Sequence, residues 1–344
     1  MKTSGIFGNM SQEAIVFLLT TALFLVSSIF LPGFLFKDGF AGFVHNGWRW
    51  SDWQIANIIA IVRAVSVLGV LAVGMGIVII GRGIDLSAVA IMAMSVAWYL
   101  QMLQDGVPGG EALAFALGGV ILIGLINGFL IAYADIPAIF TTLATGYFVY
   151  GFARSQLVHQ DATAVPAGNW IDQLGQIHLV AIPVEVFFFS GIAVAGFLFL
   201  RFTKWGRYVY LMGDNFLAAR NMGIPVRPMT VLRYAMSALI AFSAGALTAS
   251  SLHSMNVRVI NSNLLYDVIL VVVIGGIGLS GGKGGMRNVV VGALLIGIMQ
   301  NAMTIIDISN IYQNLIKSII LLVAIVVDSL VNPRDEQTAQ QGDI

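Results

Sequence analysis

The sequence predicts an all-α membrane protein: a polytopic helical bundle of about ten membrane segments, including at least one half-span or broken helix. Two observations predict this fold class. The 344 residues are 58% hydrophobic and only 10% charged, whereas a soluble globular domain has about 25% charged residues. Apolar runs recur along the chain, many near the roughly 20 residues that a helix needs to cross a bilayer. We therefore expect one transmembrane domain over residues 1–344.

Ten apolar segments are candidates for membrane helices. In chain order they are 14–31, 57–80, 86–102, 112–134, 139–153, 179–200, 231–252, 268–279, 289–306 and 315–331. The first segment lacks a small-x-small cleavage pattern, so we expect it to be retained as a span. The segment 268–279 would extend only about 18 Å as a helix, and we interpret it as a half-span or part of a broken helix.

The positions of Lys and Arg predict the orientation. With a cytoplasmic N-terminus and ten alternating segments, eleven basic residues fall on the cytoplasmic side and six on the outer side, in agreement with the positive-inside rule. The C-terminus is then cytoplasmic as well. This topology predicts a periplasmic loop over 155–178, a cytoplasmic loop over 203–228 and a polar cytoplasmic tail over 332–344. We expect a multi-pass protein of the bacterial inner membrane.

The composition excludes several classes of function. The 17 basic and 17 acidic residues balance, so the overall charge does not indicate a nucleic-acid partner. Without cysteine, the chain has no disulfide, no zinc–cysteine site and no thiol catalysis. The histidines follow no metal-ligand spacing, and we expect no metal site; they are His45, His159, His178 and His253.

Two sequences resemble nucleotide sites but do not fit them. The stretch "GLSGGKGG" (278–285) contains a Gly-Lys pair, yet Ile277 stands where a phosphate loop needs its first Gly, and Gly284 where it needs Ser or Thr. The sequence "LSGG" within it occurs without a phosphate loop before it. We therefore expect no ATP hydrolysis by this chain, no catalytic residue and no cofactor in it.

A possible internal repeat joins two segments that are interrupted by glycine. "VIIGRGIDLS" (78–87) is similar to "VVIGGIGLS" (272–280). Such paired segments are typical of transporters built from structural repeats, with the substrate path near the breaks. Coincidence in a glycine-rich membrane protein is the alternative, and the sequence leaves both open.

Polar residues in or beside the spans are candidates for a translocation pathway: Arg82, Asp85, Ser87, Asn127 and Asn301. Asp85 is the most unusual, because an ionisable group in the membrane costs about 3 kcal/mol on insertion scales. Its carboxylate either caps the helix that follows, which we favour, or pairs with Arg82 at the pathway. The amides either hold helices together or contact substrate.

A short polar stretch, "GDNFLAARNMGI" (213–224), separates long apolar segments. Asp214 can cap a helix over 215–222, and Gly223 can end it in a left-handed conformation. Eight residues are too few to hold a helix in water, so this helix needs a surface to lie on. Because the surrounding loop is the most basic one, we interpret the helix as a docking element for a cytoplasmic partner.

The sequence resembles the permease subunits of bacterial ABC importers for ribose and related monosaccharides. The stretch "NFLAARNMGI" fits the Asn-x-x-Ala-Ala-Arg-x-x-Gly-Ile pattern of their coupling loop. Four further motifs follow the family's order and spacing: "GIDLS" (83–87), "GLINGFLIAYADIPAIFTTLAT" (124–145), "GRYVYLMGDN" (206–215) and "VVIGGIGLSGGKGG" (272–285). The resemblance covers about residues 57–330. In three places the chain departs from the family: Phe216 and Leu217 stand where acidic residues are common, Arg82 where Gly is usual, and Ala88 and Val89 where Val-Gly usually follows the Leu-Ser.

The resemblance implies which residues couple the chain to an ATPase: Asp214, Asn215, Phe216, Leu217, Ala218, Ala219, Arg220, Met222 and Gly223. It also implies a permease that carries a monosaccharide or similar small polar solute. The implied partners are a cytoplasmic ATP-binding cassette protein that uses ATP and Mg²⁺, a periplasmic substrate-binding protein and a second permease copy, identical or related. The alternative is a secondary transporter or channel that works without an ATPase. A proton- or ion-coupled carrier, however, would need acidic residues within several spans, and this chain has few.

Overall fold

The computed structural model describes residues 12–45, 49–179 and 182–331; the predicted tail over 332–344 lies outside them. The helices are α1 Gln12–Phe30, α2 Gly39–His45, α3 Ile55–Ile80, α4 Ala88–Gln104, α5 Gly109–Tyr133, α6 Ala138–Gln156, α7 Trp170–Gln176, α8 Val184–Phe202, α9 Lys204–Asp214, α10 Phe216–Asn221, α11 Val226–Leu252, α12 Leu264–Gly275, α13 Met286–Ile305 and α14 Asn310–Val331. Short strands complete the fold: β1 Ala162–Ala164, β2 His178–Leu179, β3 Ile182–Pro183 and β4 Ser254–Asn256.

The all-α membrane bundle is confirmed, whereas the count of ten spans is not. Within the described residues, six helices are long and apolar enough to cross a membrane, namely α1, α3, α5, α8, α11 and α13. Each of the ten predicted segments falls on a helix, but α4, α12 and the stretch Asn310–Val326 of α14 are shorter apolar helices, and α6 is not among the candidate spans. With 12 residues, α12 extends about 18 Å, the length expected of a half-span.

The centre of the bundle is α3, which packs against α8, α11, α12 and α13. Its residues 70–80 are all buried, as expected for a helix that is apolar on every side. Next to it, α5 and α11 approach each other closely at Gly124 and Gly128. A Cβ on Gly124 would lie 2.7 Å from the Cα of Ala235. Small residues at such a crossing let two membrane helices pack backbone to backbone.

The two ends of the bundle differ. At the first, called the strand end below, β1 pairs antiparallel with β4, and α7 is fixed because Trp170 donates a hydrogen bond to the Tyr99 hydroxyl at 2.7 Å. The second, called the α10 end, holds α9, α10, the end of α3 and the loop 276–285. Gln12, at the start of α1, lies beside Gly276 and therefore also at the α10 end.

Candidate functional site

The short helix α10 is capped by Asn215. Its side-chain oxygen accepts the Ala218 N–H at 2.9 Å, and its backbone is extended, with φ −146° and ψ 104°, as an N-cap requires. The predicted cap at Asp214 is wrong, because α9 continues through Asp214 and leaves that residue helical. The helix consequently has six residues rather than the eight predicted over 215–222.

The end of α10 agrees with the prediction. Gly223 has φ +79°, a left-handed conformation that glycine adopts without strain. Its N–H donates to the Arg220 carbonyl at 3.0 Å, and the Ile224 N–H donates to the Ala219 carbonyl at 3.1 Å. This pair of bonds satisfies carbonyls that the helix end would otherwise leave without a donor.

One face of α10 holds the helix on the bundle and the other is exposed. Ala219 is fully buried, and Phe216 is half-buried against the core. Leu217 is 47% and Met222 65% exposed. The exposed face combines apolar and polar side chains: Leu217, Ala218, Arg220, Asn221 and Met222. Of the predicted coupling residues, Ala219 therefore attaches α10 to the body of the chain and is covered from outside.

Three backbone segments are in contact beside α10: the end of α3, the α9–α10 junction and the loop 276–285. The Gly282 N–H donates to the Ile80 carbonyl at 2.8 Å, and a Cβ on Gly282 would lie 2.8 Å from the Asp214 nitrogen. A Cβ on Gly281 would lie 3.1 Å from the Arg82 nitrogen. The α9–α10 junction therefore touches both the end of α3 and the loop 276–285 without an intervening side chain.

Tyr210 of α9 adds a side-chain bond at this junction. Its hydroxyl donates to the Gly284 carbonyl at 2.7 Å. Burial raises the pKa of Tyr210 above the ordinary value, partly opposed by Arg201, so the phenol keeps the proton that it donates. The loop 276–285 is thus tied to the α9–α10 junction by main-chain and side-chain contacts.

The two segments of the possible repeat end their helices in the same way. In both, the residue that follows the glycine is left-handed, with φ 64° at Arg82 and φ 106° at Gly276. In both, two N–H groups past the helix donate back to its last turn: Arg82 to Ile79 (2.8 Å), Gly83 to Val78 (3.0 Å), Gly276 to Val273 (3.1 Å) and Ile277 to Val272 (3.1 Å). The same pair of bonds also ends α4, α10 and α13, so it is a common form of helix ending and leaves repeat and coincidence both open.

Three of the predicted pathway residues form one buried network. The Ser87 hydroxyl donates to Asp85 Oδ1 at 2.5 Å, and Asn127 Nδ2 donates to Ser87 Oγ at 2.9 Å. The Ser87 N–H also donates to Oδ1, at 3.0 Å. The predicted helix start at Leu86 is wrong, because α4 begins at Ala88 with Ser87 as its N-cap and without a side-chain cap bond, so the Asp85 carboxylate holds the turn before the helix. The Ser237 hydroxyl donates to Asp85 Oδ2 at 2.7 Å. No sequence pattern marks Ser237, since it is one of several hydroxyl residues in an apolar helix.

The other two pathway candidates lie elsewhere. Asn301 exchanges hydrogen bonds with Asn57, with donor–acceptor distances of 2.8 and 3.1 Å. Asn57 stands at the start of α3 and Asp85 follows its end, and the 26 residues of α3 extend about 39 Å. Arg82 lines a cavity of about 200 Å³ beside α10. The structure therefore separates the five candidates into a buried network, an amide pair at the strand end and a cavity residue.

The sequence did not predict the buried ion pair between Lys317 and Asp267. Lys317 of α14 contacts Asp267 of α12 at 2.8 Å, and Gln300 donates to the same carboxylate at 2.9 Å. The only sequence signal was a charged residue within one apolar segment, Lys317 in 315–331, and another directly before a second, Asp267 before 268–279. Among the described residues, no group of three or more His, Asp or Glu side chains could hold a metal ion.

Comparisons with known proteins agree on one family. A family described as branched-chain amino acid transport system / permease component matches residues 57–325. The ribose import permease protein RbsC of Haemophilus influenzae is 32% identical over 282 residues, covering 80% of this chain and 86% of the relative. RbsC of Bacillus subtilis is 32% identical over 272 residues, covering 79% and 84%. The L-arabinose transport system permease protein AraH of Escherichia coli is 29% identical over 336 residues, covering 95% and 93%. No solved structure gave a match.

Proposed function

This chain belongs to the family of branched-chain amino acid transport system / permease components and is a permease subunit of an ABC importer; we propose that its solute is a monosaccharide. The relatives named for ribose and L-arabinose support a sugar. The motifs that resemble those of sugar permeases, from "GIDLS" (83–87) after α3 to "VVIGGIGLSGGKGG" (272–285) before α13, support the same assignment. The importer works with a periplasmic substrate-binding protein and a cytoplasmic ATPase, in which ATP and Mg²⁺ are used.

The observation that carries this proposal is the way in which α10 is capped and packed on the bundle. A helix of six residues is too short to be stable alone, yet this one is capped at both ends and held by the buried Ala219. We propose that the ATPase binds its exposed face through Leu217, Arg220 and Met222. The α9–α10 junction contacts the end of α3 and the loop 276–285 through main-chain atoms and through the Tyr210 hydrogen bond. A displacement of α10 would therefore move both glycine-interrupted segments, 78–87 and 272–280, together.

The proposed translocation pathway runs beside the two glycine-interrupted segments, 78–87 and 272–280. Asp85, Ser87 and Asn127 form a hydrogen-bonded group at the end of α3, and Asn127 Oδ1 has no hydrogen-bond partner among the described residues. An amide oxygen of this kind can accept a bond from a sugar hydroxyl when the helices separate. Asn301 and Asn57 would contribute at the strand end.

We place the α10 end in the cytoplasm of a cell whose inner membrane the bundle crosses. Nine described Lys or Arg residues belong to segments at this end, namely Arg82, Arg201, Lys204, Arg207, Arg220, Arg227, Arg233, Lys283 and Arg287, against six at the strand end. This excess supports the predicted orientation, with both termini in the cytoplasm. A second permease copy, identical or related, would complete the channel.

Uptake in cells tests the proposal. The gene would be deleted, and uptake of radiolabelled ribose, L-arabinose and leucine compared with and without a plasmid-borne copy. We expect the deletion to abolish uptake of a monosaccharide, and the restored uptake to survive a protonophore but to stop when arsenate depletes ATP. Uptake that follows the proton gradient without ATP would instead show a secondary transporter. Restoration of leucine uptake alone would contradict the sugar assignment.

A further inference from the structure

A basic cavity lies between α10, the end of α3 and the starts of α6 and α11. It measures about 200 Å³, and four arginines line it: Arg82, Arg220, Arg227 and Arg233. One carboxylate, Asp135, lines it as well. We propose that this cavity binds the phosphate group of a small anion, carried either by a soluble phosphorylated metabolite or by a phospholipid headgroup.

Arg233 is the first reason for this proposal. It is 3% exposed, and its guanidinium donates to two neutral acceptors, the Val78 carbonyl at 3.2 Å and the Thr230 hydroxyl at 3.1 Å. Its Nε has no hydrogen-bond partner among the described residues, and none of their carboxylates lies within ion-pair distance of it. A buried charge without an opposite charge is unfavourable, and an anion in the cavity would supply that charge.

The backbone at the cavity is the second reason. Arg82 and Asp135 have positive φ angles of 64° and 52°, a conformation that costs free energy for residues with a Cβ. At the corresponding position of the similar segment 272–280 the chain uses Gly276, also left-handed. Arg82 therefore replaces the unstrained choice with a side chain that adds a positive charge to the cavity lining. Local strain of this kind concentrates at ligand sites.

The chemistry of the lining selects the ligand class. A guanidinium presents a planar fork of N–H donors that matches phosphate oxygens. Several such groups around one cavity favour a phosphate over a neutral sugar, which offers no charge. The enclosed volume suits a phosphate with a small substituent. Because Arg220 and Leu217 of α10 line the same cavity, an occupant would contact α10 and the end of α3 at once.

The site predicts regulation, and this step rests on the proposed function. A phosphate held between α10 and the end of α3 would restrain the joint through which the ATPase acts. If the ligand is soluble, phosphorylated sugar accumulating in the cytoplasm would slow further import. The binding itself does not depend on the importer function, so the two can fail separately.

Binding to the purified chain tests the site. The full chain would be placed in nanodiscs of neutral phosphatidylcholine and titrated with inorganic phosphate and with ribose 5-phosphate, with ribose as the uncharged control. We expect both phosphates, but not ribose, to raise the thermal unfolding temperature. Arg82→Gly removes a charge while relieving the left-handed strain, so it should fold and yet bind at least about tenfold more weakly. Lys204→Gln, at an exposed cation of α9, should change Kd less than about twofold.

The source of the phosphate is decided by a second set of nanodiscs that contain phosphatidylglycerol. If soluble phosphates do not bind but phosphatidylglycerol stabilises the wild type and not Arg82→Gly, the ligand is a lipid headgroup. If neither stabilises the wild type, or if Arg82→Gly and Arg227→Gln both bind as the wild type does, the proposal is wrong. Because no ATPase is present, these outcomes are independent of whether the chain imports a sugar.

Discussion

Gly282 donates its backbone N–H to the carbonyl oxygen of Ile80 across 2.8 Å. The bond joins the loop after α12 to the last residue of α3, and the backbone of Gly213 lies against the same two residues. Three segments that are distant in sequence are thus in contact where α10 begins. Side chains could change rotamer and absorb a displacement, whereas a contact between backbones passes it on.

Close backbone contact makes Gly213 intolerant of a side chain. A Cβ there would overlap the Ile80 carbonyl and the Gly282 backbone, so Gly213→Ala should lower the free energy of unfolding by about 1–3 kcal/mol. Gly191→Ala in α8 is the matched control, because nothing lies within 4 Å of its Cβ. Thermal unfolding in detergent should separate the two variants. Equal unfolding temperatures would mean that the three segments are not packed as described.

Substitutions on the two faces of α10 should have different effects. Leu217→Arg changes an exposed residue and should alter the free energy of unfolding by less than about 0.5 kcal/mol, while the ATPase no longer co-purifies with the permease. Ala219→Arg forces a charge into a fully buried position and should unfold the coupling region itself. Pull-down of the ATPase and thermal unfolding distinguish these cases. Normal ATPase binding by Leu217→Arg would exclude the exposed face as its docking site.

The left-handed end of α10 gives a conformational test. Gly223 has no atom within 4 Å of an added Cβ, so a substitution there acts through backbone strain alone. Gly223→Val should cost about 1–2 kcal/mol and uncouple ATP hydrolysis from uptake. Gly223→Asn tolerates the left-handed conformation and should retain most transport. Loss of transport to the same extent in both would show that strain is not the cause.

Ser237 should matter to the buried network although no motif marks it. Ser237→Ala removes a hydrogen bond to the Asp85 carboxylate and should destabilise the chain by about 1.5–3 kcal/mol. Ser243→Ala, on the same helix, removes only a bond to the Leu239 carbonyl and should cost less. Chemical denaturation of both variants in detergent measures the difference. If Ser243→Ala is the more damaging, the network contributes nothing to stability.

Single cysteines can determine the orientation, since the chain contains no other thiol. Ala167→Cys lies in the exposed segment before α7 and should react with an impermeant thiol reagent added to intact cells. Asn221→Cys, on the exposed face of α10, should react only after permeabilisation. Labelling of Asn221→Cys from outside would reverse the orientation proposed from the basic residues.

The sequence contained enough information for the helices but not for their contacts. Composition and apolar runs located every main helix, and Gly223 was recognisable because few residues accept a left-handed conformation. The cap was misassigned because Asp214 and Asn215 are adjacent and both suitable, and the choice depends on where α9 ends. Two contacts could not be predicted: the burial of Ala219 and the hydrogen bond between Gly282 and Ile80. Both depend on the packing of elements that are far apart in the chain, which local sequence patterns do not encode.

The amide pair of Asn57 and Asn301 has a consequence for how the central helix can move. It joins α3 to α13 at the strand end, while the opposite end of α3 contacts the α9–α10 junction and the loop 276–285. A displacement of the opposite end would therefore tilt α3 about the amide pair. A shift of about 3 Å at Ile80 would tilt α3 by about 4° over its length of roughly 39 Å, and the residues between would sweep proportionally smaller arcs. The proposed translocation pathway would then change most in width beside Asp85, whereas its width at the strand end would hardly change.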